Sequence, residues 1–117
     1  MQYMLLIYGD ESAAPETTTP EQTQAMMQPW LDYGEWLSSE GLMKAGDALQ
    51  PTATATTVTN ATGEALVTDG PYAETKEQLG GYYLIDAPDI DKAIEAAKRC
   101  PGAQFGKIEI RPVAVFD

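Results

Sequence analysis

The 117-residue sequence contains no histidine and a single cysteine. Without histidine there is no Ser-His-Asp or Cys-His catalysis and no His-ligated haem, and with one cysteine the usual zinc ligand sets are also out of reach. An internal disulfide is impossible. Cys100 falls at the expected C-terminal end of a helix, where the dipole disfavours a thiolate, so it reads as a structural thiol. No metal centre and no cofactor is expected. Any catalysis must rest on carboxylates, tyrosine, lysine or a borrowed group. Basic residues are scarce too: 7 Lys and Arg stand against 18 Asp and Glu, a formal net charge of −11. Seven cations cannot neutralise a run of phosphates, so no nucleic acid is expected as a partner, and anionic membrane surfaces are disfavoured likewise. Long apolar runs are missing. Met4–Tyr8 is too short to span a bilayer, and the start has neither the basic region nor the cleavage site of a signal peptide. A cytoplasmic protein without membrane association is the expectation.

What is present fits one domain over residues 1–117. Met1–Tyr8 is apolar on both faces and predicts a central strand. Gly9–Thr19 reads as a surface loop. Thr19-Pro20-Glu21-Gln22 is a capping box with proline at the first helical position, so a helix starts there and runs to Ser39, with Met26, Trp30, Tyr33 and Leu37 at helical spacing and Gly41 as its stop. Pro29 is expected to kink it. Leu42–Leu49 predicts a second strand. Ala55–Asn60 and Glu64–Thr68 predict a hairpin around Ala61-Thr62-Gly63. Gly81–Ala87 predicts a further strand. Asp89 caps a second helix with Ile90, Ala93, Ile94 and Ala97 as its apolar stripe, stopped by Pro101-Gly102. Lys107–Val115 closes the chain as a strand, Ile108 and Ile110 inward, Glu109 and Arg111 outward. The order β-α-β-(ββ)-β-α-β predicts an α+β, ferredoxin-like fold with helices on one face of an antiparallel sheet. Strands with two apolar faces predict that a second copy covers the other face, as a homodimer burying about 1,600 Å² in total.

The run TDGPYAETKEQLGGYY at Thr68–Tyr83 stands apart. Gly70-Pro71 restricts a turn, and Ala73–Gln78 reads as a single helical turn stopped by a left-handed Gly80. Asp69 is expected to accept backbone hydrogen bonds within the turn, and the ring of Tyr72 to lie against the end of the sheet. Asp69 is a candidate acid–base group or a turn tie, with the two readings level. Glu74 and Lys76 read as a solvated face. Tyr72, Tyr82, Asp47 and Arg111 are candidate ligand contacts. Asp47 sits among apolar neighbours, where it is an edge residue or a partner for Asp69. Arg111 pairs with an acid such as Asp47 or binds a ligand carboxylate. Asp10 and Glu11 rim a pocket or are simply solvated.

Asp69–Ile85 resembles the DGPF motif of the YCII-related proteins, with Tyr72 in place of the phenylalanine. The resemblance extends through YMLLIY at Tyr3–Tyr8, GLMKAGDAL at Gly41–Leu49 and KIEIRPV at Lys107–Val113. It implies a dimeric α/β barrel, two ferredoxin-like units with their sheets face to face. Relatives in the wider family resemble small acid–base enzymes with a His–Asp pair, which this histidine-free chain cannot form. Others resemble companions of alternative sigma factors and carry a basic residue in the hairpin strand, where Thr59 and Asn60 stand here. Two hypotheses follow: a small-ligand protein with acid–base chemistry at Asp69 and a hydrogen bond from Tyr72 or Tyr82, and a non-catalytic regulatory or partner-binding module. A cofactor-free oxygenase or isomerase of the same architecture ranks third.

Overall fold

Two antiparallel neighbours hold the first strand, β1 (Gln2–Gly9), at the centre of a four-stranded sheet. The computed structural model describes residues 1–13, 16 and 19–116; positions 14, 15, 17 and 18 of the predicted Gly9–Thr19 loop, and Asp117, lie outside the described residues. After β1 come α1 (Pro20–Ser39), β2 (Met43–Ala48), β3 (Thr56–Thr59), β4 (Leu66–Asp69), β5 (Gln78–Asp86), α2 (Ile90–Arg99) and β6 (Lys107–Pro112), with short 3-10 turns at Glu11–Ala13, Thr52–Thr54 and Pro101–Gln104. The sheet order is β2-β5-β1-β6, all antiparallel, and among the described residues β3 pairs only with β4. Setting that hairpin aside, the arrangement is the ferredoxin-like α+β fold.

Both helix starts are chemically specified. Thr19 accepts from the Gln22 amide at 3.1 Å while the Gln22 side chain accepts from the Thr19 amide at 3.2 Å, so each satisfies an amide that lacks a helical partner. Asp89 caps α2 by accepting from the Lys92 amide at 2.9 Å. Alternation along β1 sends Tyr3 and Leu5 into the core, with Ile7 packed at its margin. There they meet Tyr33 and Leu37 of α1, Ile85 of β5, and Ala93, Ala96 and Cys100 on the α2 side. Leu5, Leu37, Leu42 and Ile85 are fully buried, each contributing about 1.5–3 kcal/mol of apolar transfer. The Tyr33 hydroxyl donates to the Ala96 carbonyl at 2.6 Å, joining the two helices. Burial drives both the Tyr33 phenol and the Cys100 thiol upward.

Several expectations are corrected. Only Tyr33 and Leu37 of α1 are buried, while Met26 on its N-terminal half stays exposed. The α2 stripe runs along Ala93, Ala96 and Ala97, because small side chains let the helix lie close to the sheet; Ile90 and Ile94 remain exposed. The helical turn at Ala73–Gln78 does not form. Strand β5 begins at Gln78, three residues before the predicted start, because Gln78 and Leu79 pair with Gly9 and Tyr8 of β1. A sheet ladder satisfies those backbone groups without the unfavourable nucleation of an isolated turn. The register shifts between Ile7 and Tyr8, so Gly80 occupies a bulge and no left-handed stop. The left-handed residue of the motif is Gly70, at φ 100°, where the chain leaves β4.

Candidate functional site

The sheet's helix-bearing face continues past the core into a groove of about 630 Å³ beneath the N-terminal half of α1. Met27, Trp30 and Leu31 form its helical wall, and Ile7, Met43 and Tyr83 its sheet wall. The floor is largely backbone: Gly46, Gly81, Gly102 and Gly106 all line it, as expected where a strand must leave room for something close by. Tyr83 is fixed edge-on to Tyr33 at a ring separation of 5.3 Å, and burial pushes its phenol up. Asp10 and Glu11 are the acids whose side chains share this face, the Asp47 carboxylate being turned to Tyr82 on the other face of the sheet, and among the described residues no lysine or arginine lines the groove.

Glu11 organises the mouth. Its carboxylate accepts from the Thr52 amide and the Thr52 hydroxyl, each at 2.8 Å, and its own amide donates to Gln78 Oε1 at 2.9 Å. Gln78 Nε2 in turn donates to the Thr75 carbonyl at 2.6 Å. Glu11, two residues after β1, therefore ties down both ends of the segment that contains the hairpin. Asp10 turns instead to Ser12, whose hydroxyl at 2.6 Å and amide at 2.9 Å hold its carboxyl below the usual range. Of the two acids read as pocket rim or solvated, both line the groove, and Glu11 also has a structural task.

The residues nominated from the sequence fall in three places. Asp47 and Tyr82 meet across β2 and β5, the Tyr82 hydroxyl donating to Asp47 Oδ2 at 2.8 Å; this bond, then the nearby charge, raises the Tyr82 phenol. Asp69 and Tyr72 stay with the hairpin and do not line the groove. Asp69 does not tie the turn as expected: among the described residues its carboxylate has no hydrogen-bond partner, and the turn is closed by the Gly70 amide donating to Ala55 at 2.6 Å and the Thr57 hydroxyl donating to Gly70 at 2.7 Å. Tyr72 does not lie against the sheet; it is 91% exposed. Arg111 is on β6, the edge opposite β2, and pairs with Glu109 at 3.3 Å in place of Asp47. In the rest of the motif loop, Glu77 is bound to Lys107, while Glu74 and Lys76 have no ion pair among the described residues.

Sequence reasoning missed Gln78 and assigned Trp30 only to packing. The signal for Gln78 was its place immediately before the Leu79-Gly80-Gly81 bulge, where a side chain amide can reach the neighbouring loop. A second depression, on the other side of α1, is walled by Trp36, Lys98 and Arg99. Its Arg99 is already engaged, stacked on Trp36 at 4.5 Å and paired with Glu95 at 3.3 Å. Among the described residues no three potential metal ligands cluster, and no helix is long and apolar enough to cross a membrane.

The family model described as YCII-related domain matches residues 1–117. An uncharacterized protein of Rhizobium meliloti (strain 1021) is 36% identical over 118 residues, which cover 99% of this chain and 94% of that protein. Among solved structures, 5-chloro-2-hydroxyhydroquinone dehydrochlorinase (TftG) from Burkholderia phenoliruptrix AC1100, in complex with 2,5-dihydroxybenzoquinone, is similar with a TM-score of 0.51 and 10% identity, covering 97% of this chain and 94% of that one. At that identity the likeness is one of fold.

Proposed function

The chain belongs to the YCII-related family, and on that premise we propose that it binds a small, flat, uncharged organic molecule in the groove beneath α1. The groove itself carries this reading: about 630 Å³, aromatic and aliphatic walls, a glycine floor, and the acids Asp10 and Glu11 with no lysine or arginine beside them among the described lining residues. An anion entering it would meet like charge and lose hydration. A neutral ring would stack against Trp30 or Tyr83 and reach Gln78 for a hydrogen bond. The ligand bound by the dehydrochlorinase of similar fold, 2,5-dihydroxybenzoquinone, has that flat shape.

The test is calorimetric titration with 2-naphthol and with its anionic counterpart, 2-naphthoate. Binding of 2-naphthol at least about tenfold tighter than 2-naphthoate is expected, a difference of about 1.4 kcal/mol. Leu31→Glu, at an exposed helical wall position, should keep the fold and weaken 2-naphthol. Equal affinity for the two probes, or no effect of Leu31→Glu, would overturn the reading.

Acid–base chemistry and non-catalytic binding part at Asp69, which lies on the hairpin and does not line this groove. Its carboxylate is exposed and, among the described residues, unpartnered, which favours availability over a turn-tying task. Asp69→Asn should then spare stability; it abolishes turnover of a bound substrate in the catalytic reading and changes nothing in the regulatory one. The second sheet face, where half-buried Met4, Leu6 and Leu84 lie side by side, supports a homodimer in which two such faces meet.

A further inference from the structure

We propose that the β3–β4 hairpin is an arm that docks on a second copy of this chain, laying its Val58–Val67 face, with Asp69 on that same face, against the partner. The inference rests on the homodimer reading but not on the ligand reading. Val58 lies directly opposite Val67, and the alternation places Thr56 and Asp69 on the same side two residues along. Val58 and Val67 are 63% and 67% exposed, and Leu66 on the reverse side 56%. Among the described residues the hairpin joins no strand of the main sheet. A two-stranded hairpin is marginal alone, and this one is held to its own chain chiefly at its base, through Thr52 on Glu11 and Gln78 on the same residue.

The whole molecule has the dimensions of half an assembly. A folded monomer of 12.7 kDa should expose about 6,200 Å², whereas this chain exposes 8418 Å². The excess, about 2,200 Å², is well above the ~800 Å² per partner that a stable pair buries. The radius of gyration, 16.4 Å, likewise exceeds the roughly 13 Å expected at this length. The bare sheet face supplies part of that excess and the arm another part. A two-fold operation covers both at once, because each copy gives an arm and receives one.

Charge selects the occupant. The 21 residues from Thr52 to Tyr72 hold only two ionisable acids, Glu64 and Asp69, and no base, in a chain of net charge −11. Another copy of so acidic a protein meets little repulsion there, while a basic partner would find almost nothing to pair with.

Light scattering tests the inference on wild type and on the double variant Val58→Asp/Val67→Asp. Expected are a two-chain mass for wild type and, for the variant, a dimer dissociation constant raised at least about 30-fold with the circular dichroism spectrum kept. A wild-type two-chain mass unmoved by the substitutions would overturn the arm while leaving the homodimer standing. A single-chain wild type would overturn both, and 2-naphthol binding would still judge the groove independently. If the variant does not fold, isotope-filtered NOEs in a dimer mixed from labelled and unlabelled wild-type chains decide: intermolecular contacts to the Val58 and Val67 methyls are expected, and purely intramolecular ones overturn the proposal.

Discussion

Leu5 and Val67 are both apolar residues in antiparallel ladders, yet Leu5 is completely buried and Val67 is two-thirds exposed. The difference lies in what stands opposite. Strand β1 has β5 and β6 on its edges and two helices on one face; among the described residues β4 has only β3. Strand propensity is therefore satisfied twice, while burial is completed once. A sheet with its own helices is self-sufficient on one face, and a hairpin without a third layer depends on what docks against it. The groove lies where these two regimes meet, at the end of β1, with Glu11 linking the core strand to the base of the arm.

The largest predicted contrast comes from cutting side chains in each region. Leu5→Ala should destabilise the folded chain by about 3 kcal/mol, since it opens a cavity in a close-packed core. Val67→Ala should lower the unfolding free energy of the isolated chain by less than about 0.5 kcal/mol. Equal losses in chemical denaturation would erase the distinction.

Next is the join beneath the groove. A Cβ at Gly106 would collide with the Tyr8 carbonyl oxygen, so Gly106→Ala must push β1 and the turn into β6 apart. A loss of about 2 kcal/mol is expected, with weaker 2-naphthol binding because the floor moves with it. A smaller effect belongs to Glu11→Ala. It removes two hydrogen bonds from Thr52 and should cost about 1–2 kcal/mol, while amide exchange quickens at Thr52 and through the hairpin but not at Leu5. Uniform acceleration across the sheet would show that the arm and the sheet open together.

The smallest effect is electrostatic. Hydrogen bonding from Tyr82 to Asp47, then the Asp47 charge, raises the Tyr82 phenol above its ordinary value. Because the folded value is the higher one, this contribution is fully present below the unfolded tyrosine value of about 10 and is lost as pH rises through the folded value. Asp47→Asn should bring the Tyr82 titration, followed by tyrosinate absorbance, down toward the ordinary range. No movement would mean that the pair is not formed in solution.

Local chemistry was the legible part of this molecule. The caps at Thr19 and Asp89, the central first strand and the hairpin all follow from neighbouring residues, and so does the placement of Asp10 and Glu11 where they can rim a pocket. Long-range register was not legible. The extension of β5 back to Gln78 depends on Gly9 and Tyr8, some seventy residues away in the chain, and it is what converts an expected helical turn into a bulged strand. The same holds for the groove floor, because Gly46, Gly81, Gly102 and Gly106 come from separate segments and converge only in the fold. Asp69 and Tyr72 drew notice through a motif, while Gln78, ten residues from its start, holds the loop to the mouth of the groove.

The most direct test of the groove is a map of side-chain methyl resonances during titration with 2-naphthol. The methyls of Ile7, Met27, Leu31 and Met43 should move together and saturate with one affinity, while Val58 and Val67 on the arm and Met4 on the opposite sheet face stay still. Movement centred on Met4, Val58 and Val67, with Ile7 and Met27 unchanged, would contradict the assignment of the ligand site to the groove beneath α1.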